Sequence, residues 1–227
     1  QAHRFLENNE IRFQPGVNED LAATAIWGTQ QLNLIEKSDY DGVFGIWYGK
    51  GPGVDRSGDV FKHANAAGTS PHGGVIALMG DDHTAKSSTL AHQSEYAMMD
   101  AMIPVLSPAG VQEFLDLGLH GFAMSRFSGC WTGFKCVTMT VDSSASVYVD
   151  PDRVEIILPD NFEMPEGGLN IRWPDGWLEQ EVRLHNYKLL AAQAYVKTNR
   201  LDRVVLGNNE ARLGIVAAGK SYLDVRQ

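Results

Sequence analysis

The sequence predicts an α/β fold with a doubly wound, mainly parallel sheet and helices on both faces. Short apolar segments alternate along the chain with segments of helical periodicity, as expected for strands joined by helices. Residues 74–79 include an apolar run between two glycines, which is typical of a strand buried on both faces. Because such sheets bind ligands at the carboxyl ends of their strands, we expect functional residues within 49–59 and 80–93.

Capping residues and apolar periodicity predict the helices. Asn18 is a suitable N-cap, and Glu19 and Asp20 place negative charge in the first helical turn. Ser107 followed by Pro108 predicts another capped start. The predicted helices cover residues 19–35, 55–67, 90–102, 108–122 and 178–200, and a last helix begins at Ser221.

Apolar runs predict the strands. A cluster of proline and glycine predicts a surface connection over residues 159–176. The predicted strands cover residues 42–48, 74–79, 105–106, 134–141, 145–149, 203–206 and 212–217, with 153–158 as a further candidate.

The composition is that of an ordinary globular protein of 227 residues, long enough for one large α/β domain. A formal net charge of −9 does not favour a nucleic-acid partner. Cys130 and Cys136 match neither a zinc site nor an iron–sulfur site, and we expect two buried thiols in a reducing, cytoplasmic compartment. No apolar run is long enough to span a membrane. Both ends look cut, so we expect a segment of a longer protein.

The glycine-rich segment 49–58 follows a predicted strand and precedes a predicted helix. Such a position can bind phosphate at a helix N-terminus. Pro52 removes one backbone donor, and the segment is neither a Walker A loop nor a dinucleotide fingerprint. The favoured interpretation is a shaped loop that supports a neighbouring site.

The polar loop at 80–93 allows three interpretations. Asp81, Asp82 and His83 could ligate a metal, could line a charged substrate pocket, or could belong to a solvated loop with an Asx turn. A serine hydrolase is disfavoured because the chain has no G-x-S-x-G elbow. Glu19, taken by its position alone, is an acid that favours the positive end of a helix.

Stretches spread over nearly the whole chain resemble the large fused indolepyruvate:ferredoxin oxidoreductases, which are thiamine diphosphate-dependent 2-oxoacid:ferredoxin oxidoreductases. They are GVNEDLAATA at 16–25, WYGKGPGVDRSGD at 47–59, GDDH at 80–83 with the serine pair at 87–88, and GIV at 214–216 with GKSYLDVRQ at 219–227. The resemblance implies that residues 1–209 form a pyrimidine-binding domain truncated at its N-terminus. Residues 210–227 would then begin the following α/β domain.

The resemblance also implies roles for individual residues. Glu19 matches the acid that stands near the N1′ nitrogen of the aminopyrimidine and shares a proton with it. His92 falls at about the place where related pyruvate enzymes use an arginine for the substrate carboxylate, and a histidine is a weaker anchor. The implied cofactor-binding residues are Glu19, Asn18, Gly51, Gly53 and Asp55, and the implied substrate-binding residues are His92, His83 and Ser87.

The parent enzyme implied by the resemblance converts an arylpyruvate such as indolepyruvate to an acyl-CoA and passes electrons to ferredoxin. Magnesium and the iron–sulfur clusters would be bound elsewhere, because the chain has neither a Gly-Asp-Gly motif followed by Asn-Asn nor the cluster cysteines. We expect the chain alone to be inactive, to form a homodimer and to contact the remaining domains of the parent. Two alternatives stay open: a non-catalytic assembly module of the same fold, and a metal-dependent hydrolase using Asp81, Asp82 and His83.

Overall fold

The computed structural model describes residues 2–35, 37–173, 175–208 and 210–227 and contains a four-stranded sheet of order β1-β2-β4-β3. All three strand pairings are parallel, and the order requires crossover connections, so the predicted α/β fold class is confirmed. The strands are β1 (Gly45–Lys50), β2 (Val75–Asp81), β3 (Val105–Leu106) and β4 (Thr132–Val137).

Helices cover both faces of this sheet. No helix in the described part of the chain is both long enough and apolar enough to cross a membrane. The helices are α1 (His3–Asn8), α2 (Glu19–Thr29), α3 (Gly51–Arg56), α4 (Gly58–Ala67), α5 (Glu95–Asp100), α6 (Val111–Ser128), α7 (Thr138–Val141), α8 (Trp177–Arg183), α9 (Leu189–Thr198) and α10 (Lys220–Arg226), with a 3₁₀ turn at Leu32–Leu34 and a π-helical turn at Leu184–Lys188 between α8 and α9.

Strand β2 shows why both faces must be covered. Val75, Ala77 and Met79 belong to an apolar core shared with α2, α3, α4 and α5, whereas Ile76 and Leu78 pack with α6 and α9. Successive side chains of a strand point to opposite faces, so an unbroken apolar run needs a helical layer on each side.

Local chemistry explains where the helices begin. Asn18 caps α2 as predicted, with its side-chain oxygen accepting from the backbone N–H of Leu21 at 2.9 Å. Helical structure begins at Gly51 rather than residue 55, because Pro52 lies in the first turn, where its missing N–H costs no helical hydrogen bond. The helix predicted at 90–102 spans only Glu95–Asp100. The helix predicted from residue 108 begins at Val111, after Gly110, and continues to Ser128.

Several predicted strands are wrong. In the described residues, 145–149, 153–158, 203–206 and 212–217 are not strands, and residues 138–141 form a helical turn after β4. Side-chain amides replace the missing strand partners. Asn199 accepts from the N–H of Ile157 at 2.9 Å and donates to its carbonyl at 2.8 Å, and Gln112 bonds both backbone groups of Tyr148. Apolar composition alone does not reveal whether a neighbouring strand exists.

A fully buried glutamine joins α2 to the starts of β1 and β2. The side chain of Gln30 donates to the carbonyl of Val43 at 2.7 Å and accepts from the N–H groups of Ser70 at 3.2 Å and Gly74 at 3.0 Å. Three backbone groups therefore depend on one amide.

Replacing Gln30 with Met should lower the free energy of unfolding by about 3 kcal/mol, because it leaves buried backbone groups without partners. Urea denaturation of the purified chain measures the change. Gln31→Met, one residue further along, is the matched control and should stay within about 0.5 kcal/mol of wild type. Equal losses in both variants would show that Gln30 has no special role.

A buried lysine closes the carboxyl end of α4. The Nζ atom of Lys188 donates to the carbonyls of Asn65 at 3.2 Å and Ala66 at 2.8 Å. Burial lowers the pKa of Lys188 to about 8, although Cys130 and Asp175 favour the charged form. The folded protein therefore holds this proton less tightly than the unfolded chain does.

The free energy of unfolding of wild type, measured relative to Lys188→Met, should rise by about 2 kcal/mol between pH 8 and pH 10. The sign follows because, over this range, the unfolded chain binds a proton at Lys188 that the folded chain has released. Denaturation curves at several pH values measure it. The exposed Lys197 on α9 gives the control Lys197→Met, and a pH-independent difference for Lys188→Met would contradict the prediction.

Candidate functional site

The carboxyl ends of three strands meet at one edge of the sheet. Lys50 at the end of β1 is in register with Gly80 of β2, and Asp81 at the end of β2 is in register with Val137 of β4. The start of α2 lies at the same edge, since the indole N–H of Trp47 donates to the carbonyl of Glu19 at 2.9 Å. Segments far apart in the sequence therefore converge where ligands bind in parallel sheets.

Glu19 lies against α3. A Cβ atom on Gly53 would stand 2.6 Å from Cγ of Glu19, so only glycine allows this approach without displacing Glu19. The carboxylate lies 3.6 Å from Nη1 of Arg56, and the same guanidinium is 3.3 Å from Asp20. The Glu19 side chain is 39% exposed, so its acidic end remains accessible.

His92 lies against the other glycine of α3. A Cβ atom on Gly51 would stand only 2.2 Å from Cγ of His92. The imidazole Nε2 is 3.3 Å from a carboxylate oxygen of Asp55, and Nδ1 is 3.1 Å from the carbonyl of Leu90. The structure therefore brings three predicted site residues, Gly51, Asp55 and His92, into direct contact.

The two consecutive acids of the polar loop organise the backbone. Asp81 is buried and accepts from the N–H of Ser94 at 3.0 Å and from its hydroxyl at 2.5 Å, which fixes the start of α5. Asp82 accepts from the N–H of Ser87 at 2.7 Å and from the hydroxyls of Thr84 and Thr138. The Ser87 N–H, opposed by burial and helped by these hydroxyls, holds the pKa of Asp82 below its usual value.

This arrangement does not favour a metal-dependent hydrolase. Asp81 and Asp82 bind different segments of the loop, and His83 is exposed. Across the described ranges, no three His, Cys, Asp or Glu side chains gather closely enough to hold a metal ion. The hydrogen bonds of Asp81 also explain why α5 begins at Glu95 and not at residue 90 as predicted. Asp81 holds the backbone and hydroxyl of Ser94 and thereby fixes where the helix can begin.

An open cavity of about 520 Å³ lies between the end of β1 and the polar loop. Ser87 and His92, both predicted site residues, line it, whereas His83 does not. Asn18 serves as a helix cap, with its side-chain oxygen bonded to Leu21. The residues that line the cavity are Lys50, Pro52, Lys86, Ser87, Ser88, Thr89 and His92.

Sequence reasoning missed three basic residues of this edge. Lys50 and Lys86 line the cavity, and Arg56 contacts Glu19. Lys50 and Arg56 lie within the glycine-rich segment 49–58. Their positive charge beside a predicted site was the sequence signal that could have identified them. Their partners are distant in sequence, and spacing alone could not pair them.

Two curated proteins are similar to this chain in sequence. Indolepyruvate oxidoreductase subunit IorA of Methanothermobacter marburgensis is 23% identical over 212 residues, which is 93% of this chain and 32% of that protein. This chain is similar to an oxidoreductase subunit. The same subunit of Methanothermobacter thermautotrophicus is 23% identical over 216 residues, 92% of this chain and 32% of that protein. These relatives confirm the family resemblance, and the chain spans about one third of their length.

The similarity to IorA rests on these sequences, since no protein-family model matches the chain. No solved structure matches it either. Both relatives are 23% identical to this chain over more than nine tenths of its length, so the similarity is not confined to one motif.

Replacing Gly51 with Ala should lower the free energy of unfolding by about 1–3 kcal/mol, because the new methyl group would overlap the His92 side chain. Gly58→Ala is the matched control. A Cβ atom there meets open space, so the variant should be neutral or gain about 0.5–1 kcal/mol. Urea denaturation of both variants tests the packing, and equal stabilities would contradict the contact between Gly51 and His92.

Proposed function

We propose that this chain supplies the pyrimidine-binding half of a thiamine diphosphate-dependent 2-oxoacid:ferredoxin oxidoreductase. The observation that carries the proposal is the position of Glu19, an accessible acid at a helix start on the carboxyl edge of a parallel sheet. The similarity to IorA over nearly the whole chain supports it independently. The parent would oxidatively decarboxylate an arylpyruvate such as indolepyruvate to an acyl-CoA.

The surroundings of Glu19 fit the edge of an aminopyrimidine ring. Its carboxylate contacts Arg56 at 3.6 Å, which is longer than a hydrogen bond, so its oxygens can still bind a ring nitrogen. Gly53 lets the acid pack directly against α3, because a Cβ atom there would stand 2.6 Å from Cγ of Glu19. Glu19 and Gly53, with Asn18, Gly51 and Asp55 supporting them, are the residues that would hold the ring.

Glu19 would hold a proton at its carboxyl oxygen and share it with the ring nitrogen. Bound thiamine diphosphate supplies the carbanion chemistry that attacks the 2-oxoacid carbonyl. Arg56 lies between Glu19 and Asp20 and would orient the Glu19 carboxyl group. Trp47 fixes the helix start through the Glu19 carbonyl, so the acid has a defined position.

The remaining residues of the edge would face the substrate. His92 and Ser87 line the cavity, and a histidine can hydrogen-bond a carboxylate. His83 is exposed on the same loop and would act at its rim. Asp55 lies 3.3 Å from Nε2 of His92 and would hold the imidazole in place beside the cavity.

The rest of the enzyme would lie outside this chain. We propose that residues 1–209 form the pyrimidine-binding domain and 210–227 begin the next α/β domain. Leu213, Ile215 and Val216 are exposed apolar residues, which supports a role in contacts with further domains. Those domains would bind the diphosphate with magnesium, the iron–sulfur clusters and ferredoxin, and coenzyme A would take up the acyl group. The assembly would be a cytoplasmic homodimer.

In the full-length enzyme, Glu19→Gln should lower activity by about 10²–10⁴-fold, because the amide cannot share a proton with the ring. Activity is measured with indolepyruvate, coenzyme A and an artificial electron acceptor, together with the bound thiamine content. The control is Asp20→Asn, which changes the neighbouring acid that Arg56 also contacts and should leave activity close to wild type. Near-wild-type activity of Glu19→Gln would make Glu19 a helix-capping acid and favour a non-catalytic assembly role.

A further inference from the structure

The cavity at the end of β1 is rich in groups that bind anions. Lys50 and Lys86 contribute ammonium groups, and Ser87, Ser88 and Thr89 contribute hydroxyls. No aspartate or glutamate lines it in the described part of the chain. We infer that this cavity binds the phosphate group of a small-molecule ligand.

The loop that carries these donors is held in place before any ligand binds. Asp82 accepts from the backbone N–H of Ser87 at 2.7 Å and from the Thr84 hydroxyl at 3.1 Å. The Nζ atom of Lys50 donates to the Ser87 carbonyl at 2.6 Å, which joins β1 to the loop. These contacts fix Ser87 from both sides and lower the entropy that binding must remove.

The second attachment of the loop is at His92. Its ring lies against Gly51, and its Nε2 is 3.3 Å from the carboxylate of Asp55. Asp55 itself does not line the cavity, whereas His92 does. The contacts with Gly51 and Asp55 therefore hold His92 in place as a wall of the cavity.

The charges of the cavity contrast with those of the whole molecule. The chain has a formal net charge of −9, whereas the cavity wall holds two lysines and, among the described residues, no carboxylate. Neither lysine belongs to a salt bridge among the described residues, in contrast to Lys62, which pairs with Asp100 at 2.5 Å. Ammonium groups without a carboxylate partner can attract an anion even in an acidic protein.

The lysines and hydroxyls of the cavity suit a phosphate in addition to the substrate carboxylate that the proposed function places at His92. A phosphate group presents three strong acceptor oxygens and close to two negative charges, which suits two ammonium groups and three hydroxyls. The volume of about 520 Å³ exceeds that of the ion alone, so the phosphate would belong to a larger molecule. That molecule would be coenzyme A, an identification that rests on the proposed function, whereas the phosphate site itself does not.

The test is a titration of the purified protein with inorganic phosphate at constant ionic strength, followed by ¹H–¹⁵N NMR spectra. The amide signals of Ser87, Ser88 and Thr89 should shift saturably. Lys86→Gln should raise the Kd about tenfold, the effect of losing one charge-assisted hydrogen bond. Lys50→Gln should do the same, although it also loses the bond to the loop. Lys62→Gln is the control and should leave the Kd unchanged.

The absence of saturable shifts in wild type would overturn the inference. So would an equal loss of affinity in Lys62→Gln and Lys86→Gln, since binding would then reflect net charge alone. Competition identifies the source: displacement by coenzyme A or by thiamine diphosphate supports a phosphate site and names its ligand. Displacement by indolepyruvate alone would overturn the assignment in favour of a carboxylate.

The outcome is independent of the catalytic proposal. Glu19→Gln should bind inorganic phosphate like wild type, because Glu19 does not line the cavity. An active Glu19→Gln enzyme with lysine-dependent phosphate binding would refute the proposed function and leave the site intact. An inactive Glu19→Gln enzyme without phosphate binding would refute only the site.

Discussion

The parallel pairing of β1 with β2 determines where every candidate group of this protein lies. Both strands end at the same edge, so the chain segments that leave them, 51–56 and 82–94, must share that edge. Helix α2 precedes β1 in the chain, and its first residue, Glu19, lies at the same edge. The carbonyl of Glu19 accepts there from the indole N–H of Trp47. A change of strand direction would separate the acid from the polar loop.

Within that edge, the short helix α3 brings the groups together. Gly51 touches His92 and Gly53 touches Glu19, so a glycine at every second position allows two candidate site residues to approach one backbone. Arg56 and Asp55, on the same helix, contact the same two side chains. The glycine-rich segment therefore lets α3 pack closely against both Glu19 and His92. Its proline lies in the first turn of α3, where it is compatible with that packing.

The sequence was most informative where chemistry is local. The Asn18 cap follows from a single residue type beside a helical pattern, and the apolar run within β2 follows from burial on both faces. The strands proposed at 145–149 and 153–158 failed because their backbone groups bond to Gln112 and Asn199, whose positions depend on the folded helices. No local pattern contains that information.

The residues of the candidate site also divide into those that a local motif reveals and those that only the fold brings together. Glu19, Gly51, Gly53, His92 and Ser87 were predicted because they lie in or beside motifs with a family resemblance, and the structure places all of them at one edge. Lys50 was inside such a motif but could not be assigned, because its partner Ser87 is 37 residues away. Spacing reveals which residue types are present, whereas the sheet register decides which of them meet.

The central claim is that Glu19 is the acid that faces the cofactor. The most direct measurement is the distance between its carboxylate and the N1′ nitrogen of thiamine diphosphate in a crystal structure of the full-length enzyme with cofactor. We expect a separation of about 2.6–3.2 Å, the range of a hydrogen bond that can transfer a proton. A carboxylate well beyond hydrogen-bond reach, or another acid at N1′, would contradict the account.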